Sequence, residues 1–486
     1  TVQPLMNALE KDESDIWFDL IYSMAIYDLC AEAIYLVEQR GNKNGEADLA
    51  VKKIFRIIKE QSVVHVWEAL KKRNNQDLKK SLHQIAILSG LIQDKFNEVD
   101  DLHDAMLAEI KDNKAVDEKL RYSAIFAFAE TRGDLDACAQ MLKAKQKVAV
   151  WMEGSLDDDY GKMGISAMRY LENEIVCVID STNSGKVVTE VSPIIKKDIL
   201  IVDSLEKAKS MGASVLVMGV LTSGGVLPDH WEGPIIKALK LGLSLINGLH
   251  VTLNDKYSSY MVNQENQWIW DTRTPQFIPK IGSGEAMKLN NKRVLMIGTD
   301  MASGKMTAGL ELYSYLKNKN INAGFVATGQ VGITVTGKGI PLDAYKLDYA
   351  CGAVQHAVMQ EKDKDVVIVE GQGSILHPGS TATLPLMRGT CPTHMILCHL
   401  AHKNSLRSPE WVKIPNLLSF IKLNEELANV LGTYANSKVV GVSLNTSRLN
   451  EEEAKKYILK VEKETDLPAA DVVRFGGEKI FDKIIE

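Results

Sequence analysis

Residues 293–307 read Arg293-Val294-Leu295-Met296-Ile297-Gly298-Thr299-Asp300-Met301-Ala302-Ser303-Gly304-Lys305-Met306-Thr307. The run Arg293–Gly298 has the length and apolar character of a buried strand, and a helix is predicted to open at the Gly-Lys pair. Glycines let the intervening backbone curl so that successive N–H groups point inward. The helix N-terminus adds partial positive charge, and Lys305 supplies a point charge for an outer phosphate. Gly298, Thr299, Asp300, Met301, Ala302, Ser303, Gly304, Lys305, Met306 and Thr307 are therefore the candidate phosphate-binding residues. The competing reading, a glycine-rich turn with a surface lysine, does not require strand, loop and Gly-Lys to fall in register. Two departures from the usual loop matter. Five residues separate Gly298 from Gly304, and Met306 stands where a Mg²⁺-binding hydroxyl is expected, with Thr307 one place later. A thioether is a poor ligand for hard Mg²⁺. The loop thus predicts phosphate binding, and it disfavours conventional hydrolysis of ATP with Mg²⁺.

Similar βα alternation flanks this stretch on both sides. Downstream, the apolar runs at Gly324–Ala327, Val366–Glu370, Met395–Cys398 and Val439–Val442 predict strands, and Asn450 with Glu453 predicts a capping box opening a helix. Upstream, Lys147–Met152, Glu174–Asp180, Ile199–Val202 and Val215–Gly219 give a second series. Short apolar runs between helix-length segments imply parallel sheets covered on both faces. The polar, aromatic stretch at about 256–290 reads as the link between the two units.

The first 140 residues are different. They carry a balance of −7 against +1 for the remainder, and only 4 of the 34 glycines. Helical spacing recurs at Trp17, Leu20, Ile21 and Met24 and at Leu82, Ile85 and Leu88. The expected fold class is therefore α/β: two parallel-sheet α/β domains, Rossmann-like and then P-loop NTPase-like, preceded by an all-α helical domain. The expected boundaries are 1–140, 141–285 and 286–486. His65, His83 and His103 are scattered through the helical block and make no catalytic constellation.

Composition narrows the class further. At 486 residues the chain is 45% hydrophobic and 25% charged with net charge −6, values that fit a soluble globular protein and argue against a nucleic-acid or membrane-surface partner. No stretch approaches 18 apolar residues, and Thr1-Val2-Gln3-Pro4 shows no leader pattern, so a cytoplasmic protein is expected. Six cysteines without a CxxC pair fit reduced thiols. His377, His394, His399 and His402 with Cys391 and Cys398 match no common zinc spacing, so no metal site is expected.

Chemistry-bearing residues gather at strand ends. Glu370 closes a predicted strand and begins Glu370-Gly371-Gln372-Gly373, at the edge where α/β ligands bind, and is a candidate general base. His377 follows this loop and is a candidate for acid–base work. Thr328-Gly329-Gln330 offers backbone amides and a side-chain amide to a substrate carboxylate. Glu153 and Asp180 close the first two strands of the upstream unit. Gly161-Lys162 gives a weaker anion corner there, opposed by Asp157-Asp158-Asp159. Gly224-Gly225 and Asn247-Gly248-Leu249-His250 either complete an interdomain cleft or are tight turns.

Together these motifs resemble a known family. Gly298–Lys305 is similar to the phosphate loop of dethiobiotin synthetases, and Val369–Ser374 looks like their glycine-rich strand end. The fuller resemblance, over about 145–480, is to a two-domain family first defined as a domain of unknown function, which includes D-glutamate N-acetyltransferases. It rests on Glu153-Gly154 with Gly161-Lys162, Ile179-Asp180-Ser181, Thr222–Gly225 with Leu227-Pro228, Asn247–His250, the phosphate loop with its Met306, Thr328–Gly332 and Glu370–Pro378. The resemblance implies an N-acetyltransferase acting on a D-amino acid, D-glutamate foremost, with acetyl-CoA as donor. For that reaction the candidate catalytic residues are Lys305, Glu370 and His377, and the candidate substrate-binding residues are Thr328, Gly329, Gln330, Gly371, Gln372, Gly373, Glu153 and Asp180. The expected partner is a small amino acid, in a homo-oligomer. The alternatives are an ATP-dependent ligase of the dethiobiotin-synthetase kind and a nucleotide switch whose effector is the helical block. That block lies outside the resemblance and is read as a fusion or appended module.

Overall fold

The computed structural model describes residue 142 and residues 145–486, except 264, 265, 276 and 278. The expected helical block at 1–140 lies outside the described residues.

Two six-stranded sheets, every pairing parallel, organise the described chain. The first contains β1 Val148–Trp151, β2 Ile175–Ile179, β3 Ile201–Val202, β4 Val215–Met218, β5 Ser244–Asn247 and β6 Ile269–Asp271. Its order is β3-β2-β1-β4-β5-β6, so the winding reverses between β1 and β4, as in a Rossmann-like domain. Helices α1 Lys162–Tyr170, α2 Val188–Val191, α3 Leu205–Ser210, α4 Glu232–Lys240 and α5 Leu253–Tyr257 alternate with these strands. The second contains β7 Lys292–Gly298, β8 Ala323–Val326, β9 Val366–Val369, β10 His394–Leu400, β11 Lys438–Asn445 and β12 Ala469–Ala470, in the order β12-β11-β10-β7-β9-β8. Its helices are α6 Lys305–Asn318, α7 Gln330–Thr336, α8 Leu347–Gln360, α9 Thr383–Thr390, α10 Leu417–Asn429, α11 Glu451–Thr465 and α12 Glu478–Ile485.

Strands β1, β4, β8 and β9 are buried along their whole length, as parallel strands under helices on both faces must be. The capping box forms as expected: Asn450 Oδ1 accepts from Glu453 N at 2.9 Å, and Glu453 Oε2 accepts from Asn450 N at 3.0 Å. The segment expected to be a plain link contributes β6, where Ile269 and Trp270 extend the first sheet.

The two α/β domains share one apolar core, and α1 packs on α7. Arg169 and the Tyr170 hydroxyl both reach Glu311 of α6 at 2.7 Å. A groove of about 440 Å³ lies along this seam among Tyr170, Tyr313, Phe325 and Lys338, and none of the candidate site residues lines it. Among the described residues no helix is long and apolar enough to cross a membrane.

Arg293, at the opposite end of β7 from the phosphate loop, is 1% exposed. Its Nε donates to the carbonyls of Thr390 and Cys391 at 3.1 and 3.0 Å, and Nη1 donates to those of Leu289 and Asn291, both at 2.9 Å. The guanidinium therefore closes the C-terminus of α9 from below. Replacement by Met leaves several buried carbonyls without a donor. We expect Arg293→Met to cost about 3 kcal/mol or more in a denaturant titration. A loss below about 1 kcal/mol would contradict this account.

Candidate functional site

The phosphate loop lies where β7 passes into α6. Ala302 and Gly304 have φ of 52° and 100°, and this left-handed turn brings Lys305 back beneath the loop. Lys305 is 6% exposed, and its ammonium donates to the Asp300 carbonyl at 2.8 Å and to Ser303 Oγ at 3.3 Å. Burial pulls its pKa down to about 8, against the opposing influence of Cys398, Asp300 and Glu370.

Three further contacts hold the loop. The Asp300 carboxylate accepts from Met301 N at 2.7 Å and from Arg407 N at 2.6 Å, so it shapes the backbone and ties down the hairpin bridged at Ser405 and Lys413. Buried Thr299 pairs its hydroxyl with His399 Nδ1 at 2.9 Å, and His399 Nε2 lies 3.1 Å from the Tyr457 hydroxyl. Burial pushes His399 down to about 4, so a neutral imidazole links loop to helix at physiological pH. Cys398 sits beside Gly298 in register, and burial pushes its thiol up to about 12. That protonated thiol is no nucleophile.

Glu370 stands at the end of β9, next to β7, and is 4% exposed. Its Oε2 accepts from Thr328 N at 2.9 Å and Gly329 N at 3.2 Å, while Gln372 Nε2 lies 3.5 Å from Oε1. Burial raises its pKa to about 7, with the two amides and Lys305 pulling the other way. The site thus brings together a buried acid and a buried base that both titrate near neutrality. The amides of Thr328 and Gly329, expected to receive a substrate carboxylate, are already taken by Glu370. Gln330 instead opens α7 and packs its side chain toward Gly248 of the first domain.

An added methyl at Gly332 would stand 2.4 Å from Glu370 Oε2. We expect Gly332→Ala to displace the carboxylate and lower turnover by roughly tenfold or more, with a stability loss of about 1–3 kcal/mol from overpacking. Steady-state rates set beside thermal melting separate the two effects. Unchanged turnover would place the carboxylate elsewhere.

The remaining candidates are held by the protein itself. His377 accepts from Gly379 N through Nδ1 at 3.1 Å, and its Nε2 bonds the Ser408 carbonyl at 2.6 Å. Nδ1 thus holds the turn of its own loop, and Nε2 fastens that loop to the hairpin. Asp180 is fully buried and accepts from Gly154 N at 3.3 Å, Thr182 N at 3.2 Å and Asn183 Nδ2 at 2.8 Å. Glu153 accepts from Ser181 N at 3.1 Å. Both residues thus staple the β1 and β2 loops to each other, where a substrate contact was expected. The anion corner at Gly161 is filled by Asp158, which accepts from Tyr160 N at 2.7 Å and Gly161 N at 3.1 Å.

Sequence reasoning missed His399 as a support of the loop, although strand alternation separates it from Cys398. It also had no signal for Arg273 and Asp343, which meet across the domain seam 70 residues apart.

Comparison with known proteins gives a consistent set of likenesses. The P-loop domain of a family described as a domain of unknown function, DUF1611, matches residues 280–481, and that family's Rossmann-like domain matches residues 181–275. A D-glutamate N-acetyltransferase of Tritonibacter scottomollicae is 36% identical over 288 residues, covering 58% of this chain and 84% of that protein. One from Pseudoalteromonas sp is 31% identical over 279 residues, covering 57% and 83%. A crystal structure of a DUF1611 family protein from Anabaena variabilis is 40% identical with a TM-score of 0.67, covering 70% of this chain and 99% of that one.

Proposed function

The chain belongs to the DUF1611 family, and from that premise we propose that it is an N-acetyltransferase moving the acetyl group of acetyl-CoA to the amine of a D-amino acid, D-glutamate foremost. The observation that carries this reading is the pairing of Lys305 and Glu370, each buried and each brought close to neutral pH, at adjoining strand ends.

Acyl transfer from a thioester needs three things from the protein. It must hold the donor's phosphates, take a proton from the attacking amine, and stabilise the negative charge that grows on the thioester oxygen. The curled loop and Lys305 suit the first. Glu370, with Oε2 fixed by two amides and Oε1 turned toward Gln372, suits the second. The C–N bond forms as the C–S bond breaks, and the amine proton passes through Glu370 toward the leaving thiolate. The thiol of Cys398, protonated and buried, supports direct transfer over an acetyl-cysteine route.

The donor set is poor for Mg²⁺. Met306 offers no hard oxygen, and one Glu370 oxygen is spent on amides. A diphosphate held by main-chain N–H groups and one ammonium fits these residues better than a metal-bridged triphosphate.

Release of free CoA over a panel of D- and L-amino acids tests the proposal, with calorimetry of acetyl-CoA against MgATP. CoA release that depends on a D-amino acid is the expected result. Tight MgATP binding with no acetyl-CoA binding, and substrate-dependent ADP release, would replace it with an ATP-dependent ligase.

A further inference from the structure

Arg273 follows β6 at the carboxyl edge of the first sheet. Its Nε donates to the Gly248 carbonyl at 2.9 Å, and Nη1 bonds the Asp343 carboxylate of the second domain. His250 Nε2 lies 3.9 Å from the same Asp343 oxygen. The imidazole is seated by the turn at Gly224-Gly225: His250 N donates to the Gly225 carbonyl at 3.0 Å, and a methyl on Gly225 would stand 2.2 Å from the ring.

The exposures differ in an informative way. Arg273 is 15% exposed, whereas His250 and Asp343 are 53% and 45% exposed. The cation is anchored and the carboxylate it holds faces solvent. Asp343 also sits close to the chemistry by a short main-chain route. Leu342 N donates to the Thr328 carbonyl at 3.1 Å, and Thr328 N donates to Glu370 at 2.9 Å. A guanidinium held by its Nε keeps a fork for one carboxylate, and it discriminates sharply against an uncharged amide in that place.

We propose that Arg273, with His250, receives the side-chain carboxylate of an acidic amino-acid acceptor, and that Asp343 occupies this receptor until substrate displaces it. The proposal rests on the N-acetyltransferase reading and names the residues that set its preference for an acidic side chain. The reacting amine must reach Glu370, so the Arg273 pair, on the other side of the seam, is assigned the carboxylate farther from that amine.

The rival meaning of the Arg273–Asp343 pair is a fixed latch between domains, and the two readings predict opposite signs. With the full chain, D-glutamate and D-glutamine are compared as acceptors in Arg273→Ala, Arg273→Lys and Asp343→Asn. A receptor requires Arg273→Ala to raise KM for D-glutamate roughly 30-fold or more while altering kcat/KM for D-glutamine less than about threefold. It also requires partial recovery in Arg273→Lys and a lower KM for D-glutamate in Asp343→Asn, which removes the internal competitor. Equal losses on both substrates, with Asp343→Asn as damaging as Arg273→Ala, would overturn the proposal in favour of a latch.

Calorimetry of D-glutamate alone separates this from failure of the acetyl-transfer reading. Binding to the wild type that is lost in Arg273→Ala supports the receptor even if no acetyl group is transferred. Equal binding to both refutes the receptor while leaving acetyl transfer standing. No binding to the wild type refutes the receptor, and acetyl transfer is then judged on CoA release alone.

Discussion

Lys305→Met is expected to lower acetyl transfer at least 100-fold while leaving the ligand-free protein as stable as the wild type or more so. Few substitutions separate activity from stability so cleanly, and the reason is burial. The ammonium is 6% exposed with two hydroxyl or carbonyl acceptors and no carboxylate bonded to it. Burial lowers its pKa from 10.5 to about 8. The unfolded chain therefore binds the proton more tightly, and the full cost of a desolvated cation is present at pH 7. Stability should rise with pH between about 8 and 10.5, where the folded protein has lost this proton and the unfolded chain has not. An apolar side chain of similar length removes that cost, worth about 1–4 kcal/mol in comparable buried sites. The same ammonium is the only side-chain cation contributed by the loop, and loss of one such electrostatic group costs roughly 100- to 1,000-fold in rate. Thermal melting across pH with CoA-release rates checks both halves. A variant keeping more than a tenth of its activity, or destabilised by more than about 2 kcal/mol, would show that Lys305 is a structural residue.

Glu370→Gln should reduce kcat by roughly 100- to 10,000-fold, the range for removing a general base, with the fold intact. The amide oxygen of Gln can still accept from Thr328 N and Gly329 N, so only the proton acceptor is lost. In the wild type, turnover should climb as pH passes about 7, where Glu370 becomes ionised, and decline above about 8 as Lys305 loses its charge. The stability signature has the opposite slope to that of Lys305. Glu370 titrates at about 7 when folded and 4.5 when unfolded, so the folded protein binds the extra proton in that window and stability falls as pH rises through it. Glu370→Gln should flatten that slope. An unchanged pH dependence of both rate and melting would assign the base elsewhere.

The parts of this molecule that were legible in the sequence are those whose determinants are consecutive. The phosphate loop needs a strand, two glycines and a lysine in one fifteen-residue stretch, and Asn450 and Glu453 cap a helix from within a single turn. Strands β6 and β12, three and two residues long, were not legible. β6 lies in a polar, aromatic stretch and β12 is only Ala-Ala, so neither carries an apolar run of its own, whereas the equally short edge β3 is announced by Ile199–Val202. The interior strand Ser244–Asn247 was legible only at its end, where Asn247-Gly248 reads as a strand terminus, because its apolar portion is only Leu245-Ile246. The candidate site divides in the same way. Lys305 and Glu370 were visible as strand-end residues. What occupies the amides of Thr328 and Gly329 is a carboxylate 42 residues on from Thr328, which no local pattern announces, whereas the corner at Gly161 is filled by Asp158 of the acidic run that already argued against an anion there. The pairing of Arg273 with Asp343 spans 70 residues and two sheets, which no local pattern encodes.

The apolar core that runs unbroken from the first sheet into the second has a consequence for how such proteins can be recombined. Neither half is a self-contained cassette. A hybrid gene that joined this first sheet to a relative's second sheet would have to carry over both flanks of the join, Arg169 and Tyr170 together with Glu311 and Gly248 together with Gln330. Without them the hybrid would lose the ion pair and hydrogen bond that fasten α1 to α6 across the shared core.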